Sequence, residues 1–232
     1  MSWHSVGMSV VGVDGCKRGW IAIVLDDAGR TRGQFVGHLD DLGDAIEGVD
    51  AVAIDIPIGL PSTGRRQADD AARDLLGPRR NSVFYAPVRE AITAATHAEA
   101  SAISKRITGH GISQQSLALA PKILEAERWA VSTTAPVWEV HPEVSFAVML
   151  GHPADHPKST WSGLRERLDA LRDAGIIVDD IGSAGAMAGA DDVLDAAVAA
   201  WSAARLRRGD GISLPDPPET APGTSRPIAI WA

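Results

Sequence analysis

The sequence predicts an α/β protein in which helices cover both faces of a sheet. Two short apolar runs, Val10–Val13 and Ala51–Ile54, are typical of strands that are buried on both faces. Segments with apolar residues at helical spacing follow them along the chain. A length of 232 residues without an evident linker or internal repeat favours one domain over residues 1–232.

Strands dominate the predicted structure of the first quarter of the chain. Alternation between apolar runs and turn residues places these strands at 10–13, 20–25, 34–37 and 51–54. A short helix over 40–47, begun by the aspartates at its start, precedes the last of them. That last strand should end close to Asp55, because Pro57 lacks an N–H donor and holds the residue before it in an extended conformation.

Helices dominate the predicted structure of the remainder. Helical spacing of apolar residues, with Gly-Pro stops and Ser113 as an N-cap, predicts helices at 65–76, 89–106, 114–130, 160–174 and 191–207. A strand over 136–140 leads into a further helix that begins at His141-Pro142. The five prolines within 215–227 predict a loop, and 228–231 is expected to add a terminal strand.

The charge distribution narrows the classes of function. A net charge of −8 argues against a generic basic protein that coats nucleic acid. Residues 61–130 are the exception, since their 10 basic and 7 acidic side chains give a net +3. This segment is predicted to be a helical insertion or lid. Its charge indicates either a surface that faces a polyanion or ordinary solvated helices with a chance excess of arginine.

Cysteine content and hydropathy indicate a cytoplasmic protein. A single cysteine, Cys16, excludes an internal disulfide and a cysteine-rich zinc site. No run of about 18 apolar residues occurs that would span a membrane. The first eight residues lack the basic and apolar regions of a secretion signal, so no membrane or export pathway is expected.

Carboxylates occur at positions that the predicted fold makes conspicuous. Asp14 ends the first strand and Asp55 ends the fourth, and open α/β sheets bind ligands at the carboxyl ends of their strands. Glu139 interrupts an apolar strand, where an unpaired charge is costly. Asp192 and Asp195 share one face of the last helix. We expect Asp14, Asp55 and Asp195 to converge at one edge of the sheet.

Clustered carboxylates of this kind indicate a site for Mg²⁺ or Mn²⁺, because these ions prefer hard oxygen ligands. Pairs of such ions catalyse in-line hydrolysis of phosphodiesters. Each acid also has a structural interpretation. Asp14 and Asp55 can be turn residues, Glu139 can pair with an arginine of 61–130, and Asp192 can stabilise the start of its helix. Asp195 is harder to explain in this way, because its helix is apolar nearly all round and a buried carboxylate needs a cation.

Several cationic side chains are candidates for binding a phosphate near these acids. The predicted substrate-binding residues are Lys17, Arg73, Arg79, Arg80 and His141. Arg65 and Arg66 belong to the same basic segment. The alternatives are a solvated turn for Lys17, a surface salt bridge to Asp69 for Arg73, and a locally bonded joint between strand and helix for His141.

The order of these motifs resembles the ribonuclease H-like fold, and the chain looks most like the DUF429 family of predicted RNase H-like nucleases. The matching stretches are Val11–Gly15 with Gly19-Trp20, Asp55–Pro61, Asp69–Arg73, Ser82–Phe84, Gly111–Gln115, Glu139–Phe146 and Asp191–Ala196. The stretch Asp192–Ala196 also resembles the closing helix of Holliday-junction resolvases in that superfamily. The resemblance implies a mixed five-stranded sheet of order 3-2-1-4-5 with an antiparallel second strand.

The resemblance also implies a catalytic set of Asp14, Asp55, Glu139, Asp192 and Asp195. Within it, Asp14, Asp55 and Asp195 would be metal ligands, and Asp192 or Glu139 would complete the shell. Resolvases often have glutamate on the fourth strand, where this chain has the shorter Asp55. The function expected from the resemblance is a metal-dependent phosphodiesterase that acts on nucleic acid.

Two other functions remain open at this point. A non-catalytic binding module with the same fold would tolerate loss of Asp55 or Asp195 without a change in divalent-metal affinity. A phosphotransferase of the actin and sugar-kinase type also opens with a strand that ends in Asp-Gly. Such proteins normally need two copies of the fold to enclose ATP, which disfavours a chain of 232 residues without a repeat.

Overall fold

A five-stranded mixed sheet forms the centre of the computed structural model, which describes residues 9–220 and 226–232. Its strands are β1 (Ser9–Cys16), β2 (Gly19–Asp26), β3 (Thr31–Val36), β4 (Ala51–Asp55) and β5 (Val137–Glu139). Their order is β3-β2-β1-β4-β5. Strand β2 is antiparallel to β1 and β3, whereas β1, β4 and β5 are parallel. The predicted fold class and sheet order are confirmed.

Helices pack on both faces of this sheet. Those in the described residues are α1 (Gln67–Leu76), α2 (His97–Thr108), α3 (Gln114–Ala118), α4 (Ala120–Ser132), α5 (Pro142–Leu150), α6 (Trp161–Asp173) and α7 (Ala190–Arg208). The connection from β4 to β5 contains α1 to α4, which is the segment predicted to be a helical insertion. None of the helices in the described part of the chain is long and apolar enough to cross a membrane.

Most predicted helices lie within a few residues of their observed positions, with two exceptions. The helix predicted at 40–47 is a 3₁₀ helix, Leu39–Ala45. The first half of the helix predicted at 89–106 is wrong, because Ala91–Thr93 is a single 3₁₀ turn and α2 begins after Thr96. The Thr96 hydroxyl accepts a hydrogen bond from the backbone N–H of Glu99, and this N-cap fixes the start of the helix.

The predicted loop over 215–227 is wrong at its beginning. Strand β6 (Ser213–Glu219) contains three of the prolines and pairs with the antiparallel β7 (Ile228–Trp231). A two-stranded sheet tolerates these prolines, because each of its strands has an edge on which no N–H donor is needed. The portion 221–225 of the predicted loop, like residues 1–8, lies outside the described residues.

Alternate residues of the central strands belong to two separate cores. Val11 and Val13 contribute to the core that includes Ile123 and Trp129 of α4, whereas Val10 contributes to the core formed with α7. Since successive side chains of a strand point to opposite faces, residues 10, 12 and 14 all face α7. The same alternation assigns residues 51, 53 and 55 of β4 to the α7 face.

Helix α7 lies unusually close to β1. A Cβ atom added to Gly12 would clash with the backbone oxygen of Ala196 and the backbone nitrogen of Ala200. Glycine in the strand and alanine in the helix therefore allow the two backbones to touch. This contact holds the first turns of α7 above the carboxyl end of β1, where Asp14 lies.

Candidate functional site

The candidate site is a cavity of about 620 Å³ at the carboxyl ends of β1 and β4, which we call the carboxylate cavity. It is lined by Asp14, Asp55, Asp192 and Asp195, among other residues. The parallel register of the strands places Asp14 directly beside Asp55, and both face α7, which contributes Asp195. The structure thus brings the three predicted metal ligands together, while their role as ligands remains a prediction.

Burial and mutual repulsion disfavour ionisation of these carboxyl groups. Asp14 and Asp195 are 6% and 1% exposed. Burial, followed by the charge of Asp195, raises the pKa of Asp55 to about 8. Burial raises the pKa of Asp195 to about 6, and burial together with the neighbouring Asp55 raises the pKa of Asp14 well above its ordinary value. Without a further cation, the carboxyl group of Asp55 retains its proton near neutral pH.

Lys158 is the cation that already lies in this cluster. Its Nζ donates a hydrogen bond of 2.5 Å to Asp195 Oδ2 and lies 4.0 Å from Asp191 Oδ2. Burial alone would lower the pKa of Lys158, but the carboxylates of Asp195, Asp14 and Asp55 outweigh that effect and raise it. Lys158 is therefore a permanent positive charge among the carboxylates.

One carboxylate oxygen of the site has no partner. Asp195 Oδ1 is buried and accepts no hydrogen bond from any residue that the structure describes. A buried acceptor left in this state is costly, so it marks a place where a ligand of positive charge or a donor group would be stabilised. By contrast, Asp14 Oδ1 accepts a bond of 2.7 Å from the backbone N–H of Gly15.

The chemistry of these donors fits one divalent cation of the Mg²⁺ or Mn²⁺ type, because all three side chains offer hard oxygens. Within residues 9–220 and 226–232, however, no group of three or more His, Cys, Asp or Glu side chains is already arranged to hold a metal ion. The carboxylates would therefore have to draw together around an entering ion.

Two of the five predicted substrate-binding residues line the carboxylate cavity. Arg79 lies in the 3₁₀ helix Gly77–Ser82, and its Nε donates to the backbone oxygen of Ala154. His141 precedes α5, and its Nε2 lies 3.3 Å from the backbone oxygen of Ser82. Burial lowers the pKa of His141, and its Nδ1 is buried without a partner among the described residues.

The other three lie outside this cavity. Lys17 is exposed in the turn between β1 and β2, as the structural interpretation expected, and Arg80 is exposed. Arg73 does not pair with Asp69, so the alternative of a surface salt bridge between them is wrong. Its Nη1 donates to the backbone oxygens of Val83 and Arg80, which fixes the segment after α1. A role of Arg73 in substrate binding stays a prediction.

Glu139 also lies away from the carboxylate cavity. It is paired in register with Ile54, and the alternation of β4 and β5 puts it on the α4 face, opposite Asp55. Both of its oxygens accept hydrogen bonds of 2.8 Å from the guanidinium of Arg66, which also binds Asp69. The alternative that Glu139 pairs with an arginine of 61–130 is confirmed, and Arg66 serves this buried pair rather than a substrate.

Asp192 combines a structural contact with a place in the cavity wall. Its Oδ2 accepts a hydrogen bond of 3.0 Å from the backbone N–H of Gly189, which stabilises the first turn of α7.

Sequence reasoning missed Lys158, because the loop before α6 carries no periodic signal. The need of the buried Asp195 for a cation was visible in the sequence, although the identity of that cation was not.

The comparisons with known proteins give the family of the chain and no activity. A family model described as "Protein of unknown function (DUF429)" matches residues 12–220. Neither the curated proteins nor the solved structures contain a match. Since the family match covers nearly the whole length and includes every element of the carboxylate cavity, the chain belongs to the DUF429 family.

Proposed function

We propose that this protein is a metal-dependent phosphodiesterase of the RNase H-like type that acts on nucleic acid. One observation carries the proposal: buried carboxylates from β1, β4 and α7 converge in one cavity, and Asp195 Oδ1 has no partner among the described residues. Such a cluster raises the energy of the folded protein unless it binds a ligand of opposite charge. The DUF429 membership and the order of the sheet agree with this proposal without testing it.

In this mechanism Asp14, Asp55 and Asp195 would hold the cation. Their carboxylates would thereby place a Lewis acid beside a phosphoryl oxygen and a water molecule, which is the chemistry that a divalent ion supplies when bound. Lys158 supplies a fixed positive charge beside Asp195, suited to a non-bridging phosphate oxygen whose charge grows in the transition state. Burial lowers the pKa of His141 and so favours its neutral form, and its Nδ1, which has no hydrogen-bond partner among the described residues, is suited to accept a proton.

The test is hydrolysis of labelled single-stranded and double-stranded DNA and RNA in Mg²⁺, Mn²⁺ or EDTA. We expect cleavage only with the metal. Asp14→Asn and Asp195→Asn should each reduce the rate at least about a hundredfold, because each removes a ligand worth several kcal/mol in the transition state. Asp179→Asn is the matched control, since Asp179 is an exposed carboxylate away from the cavity. Equal rates in all three variants would refute the proposal.

A second candidate, a non-catalytic binding module, is favoured by the ion pair between Lys158 and Asp195. If this pair is purely structural, Asp195→Asn leaves Lys158 without its partner and lowers the melting temperature, and neither protein responds to metal. The phosphodiesterase proposal expects the reverse. Metal-free Asp195→Asn then melts at or above the wild-type temperature because repulsion is relieved, and only the wild type is stabilised by Mg²⁺.

A further inference from the structure

A second cavity, of about 330 Å³, adjoins the carboxylate cavity. Asn81, Phe84 and Gln115 line both cavities, so the two share a wall. The far side of the second cavity is formed by residues 83–88 and by the segment from α2 to α3. Neither the proposed hydrolysis nor the ion pairs of the core explain why polar side chains gather here.

Arginine supplies the charge of the second cavity. The guanidinium carbon of Arg65 lies 3.8 Å from the centre of the Tyr85 ring, and that of Arg73 lies 4.8 Å from it. The N–H groups of Arg73 are engaged by backbone oxygens. Arg65 is exposed and, over the described ranges 9–220 and 226–232, makes no hydrogen bond or ion pair. The Tyr85 ring orients the guanidinium plane of Arg65, while the N–H groups of Arg65 remain available to bind an anion.

The shared wall offers the complementary groups. Gln115 is exposed, and its side-chain amide has no hydrogen-bond partner in the described part of the chain. Among the residues that the structure describes, the only hydrogen bond of the Asn81 side chain is a long one, which Oδ1 accepts at 3.5 Å from Nη2 of Arg73, so its NH₂ group has no acceptor there. Phe84 is partly buried between the two cavities and provides an aromatic surface. The guanidinium of Arg65 can bind a phosphate, the side-chain amides of Gln115 and Asn81 can hydrogen-bond to the polar edge of a base, and the Phe84 ring can stack on the base. Together these groups match a nucleotide.

We infer that the second cavity is a subsite for one unpaired nucleotide of a single-stranded substrate, next to the phosphate at the carboxylate cavity. This inference rests on the proposed function and deepens it. The cavity has the volume of a small-molecule site, which suits a single unstacked base rather than the width of a duplex. Arg65 binds the phosphate of that nucleotide, and Phe84 with Gln115 contacts its base.

The test measures binding without hydrolysis. Fluorescence anisotropy of fluorescein-labelled oligothymidylate is recorded in EDTA with wild-type protein, Arg65→Ala, Arg65→Lys and Gln115→Ala. We expect Arg65→Ala to raise the Kd about tenfold, and Arg65→Lys to restore only part of the loss, because lysine lacks the planar fork. Arg32→Ala is the matched control, since it removes an exposed arginine from β3 at the opposite end of the sheet.

Binding and hydrolysis separate this inference from the proposed function. If Arg65→Ala binds like Arg32→Ala, or if the wild type does not bind the oligonucleotide, the subsite is refuted, whatever the rate of hydrolysis in Mg²⁺. If Arg65→Ala weakens binding but the wild type never cleaves, the subsite stands and the phosphodiesterase proposal fails. A labelled hairpin duplex should show no dependence on Arg65, and an equal dependence would overturn the assignment to single strands.

Discussion

Binding of a divalent cation in the carboxylate cavity should depend steeply on pH. An entering ion must displace the proton that Asp55 holds, because the pKa of this carboxyl group is raised to about 8. Below that pH, each unit lowers the apparent affinity about tenfold for one displaced proton, so about a hundredfold, or about 2.7 kcal/mol, separates pH 8 from pH 6. Displacement of a proton from Asp195, whose pKa is about 6, adds to this dependence below pH 6.

This dependence has a measurable size in thermal melts. With Mg²⁺ at a hundredfold excess over its Kd at pH 8, binding stabilises the folded protein by about 2.7 kcal/mol, and at pH 6 the same concentration gives about 0.4 kcal/mol. For a protein of this length these energies correspond to increases in melting temperature of roughly 5–10 °C and 1–2 °C. Differential scanning calorimetry at both pH values, with Mg²⁺ and with EDTA, measures the two increments.

In the absence of metal, the free energy of unfolding should decrease as the pH rises, whereas the affinity for metal increases. Because the folded-state pKa of Asp55 is raised from the ordinary 3.8, the folded state holds a proton that the unfolded state has lost between about pH 4 and pH 8. The contribution of Asp55 to the free energy of unfolding is therefore fully present below about pH 4 and is lost as the pH rises to about 8. Asp55→Asn should remove this loss together with the Mg²⁺ increment, and Asp179→Asn should change neither. A Mg²⁺ increment of equal size at pH 6 and pH 8 in the wild type would refute the reasoning.

Four further substitutions test the packing of the cavity and the buried ion pair of Arg66 with Glu139. Gly12→Ala should lower the free energy of unfolding by about 1–3 kcal/mol, because the added methyl pushes α7 from β1, and it should weaken the response to Mg²⁺ in the same melts. Lys158→Met should raise Mg²⁺ affinity in isothermal titration, since it removes a like charge beside Asp195, and yet lower the rate of hydrolysis; weaker Mg²⁺ binding would contradict the role given to this lysine. Arg66→Met should cost about 3–5 kcal/mol by leaving Glu139 buried without its partner, while Arg66→Met combined with Glu139→Gln should recover part of that loss in urea unfolding.

The sequence was sufficient to locate the carboxylates that end strands or interrupt apolar helices. Asp14 and Asp55 follow apolar runs, and parallel pairing of those runs is enough to place them side by side. Asp195 is conspicuous because Val193, Leu194 and residues 196–201 around it are apolar. Each of these inferences depends only on local pattern and on the alternation of strand side chains.

Other parts of the site depend on information that local pattern does not contain. The resemblance implied that Asp192 or Glu139 completes the metal shell. Glu139 lies on the α4 face, because its direction depends on the register of β5 against β4, which the three-residue strand does not reveal. Lys158 reaches Asp195 from a loop 37 positions away in the sequence. Arg66, Arg73 and Arg79 belong to one basic segment, and the sequence does not distinguish them. Only the packing of α1 shows that Arg66 and Arg73 make structural contacts, whereas Arg79 lies in the cavity wall.

The most direct test of the central claim is crystallography of the protein grown or soaked with MnCl₂, using anomalous diffraction to locate manganese. We expect an anomalous peak in the carboxylate cavity, about 2.0–2.2 Å from oxygens of Asp14 and Asp195, the distance usual for small hard cations. Asp55 should lie at or beside the coordination shell, and the Lys158 ammonium should be displaced from Asp195 Oδ2. An empty cavity at millimolar Mn²⁺, with the Lys158–Asp195 pair unchanged, would contradict the account.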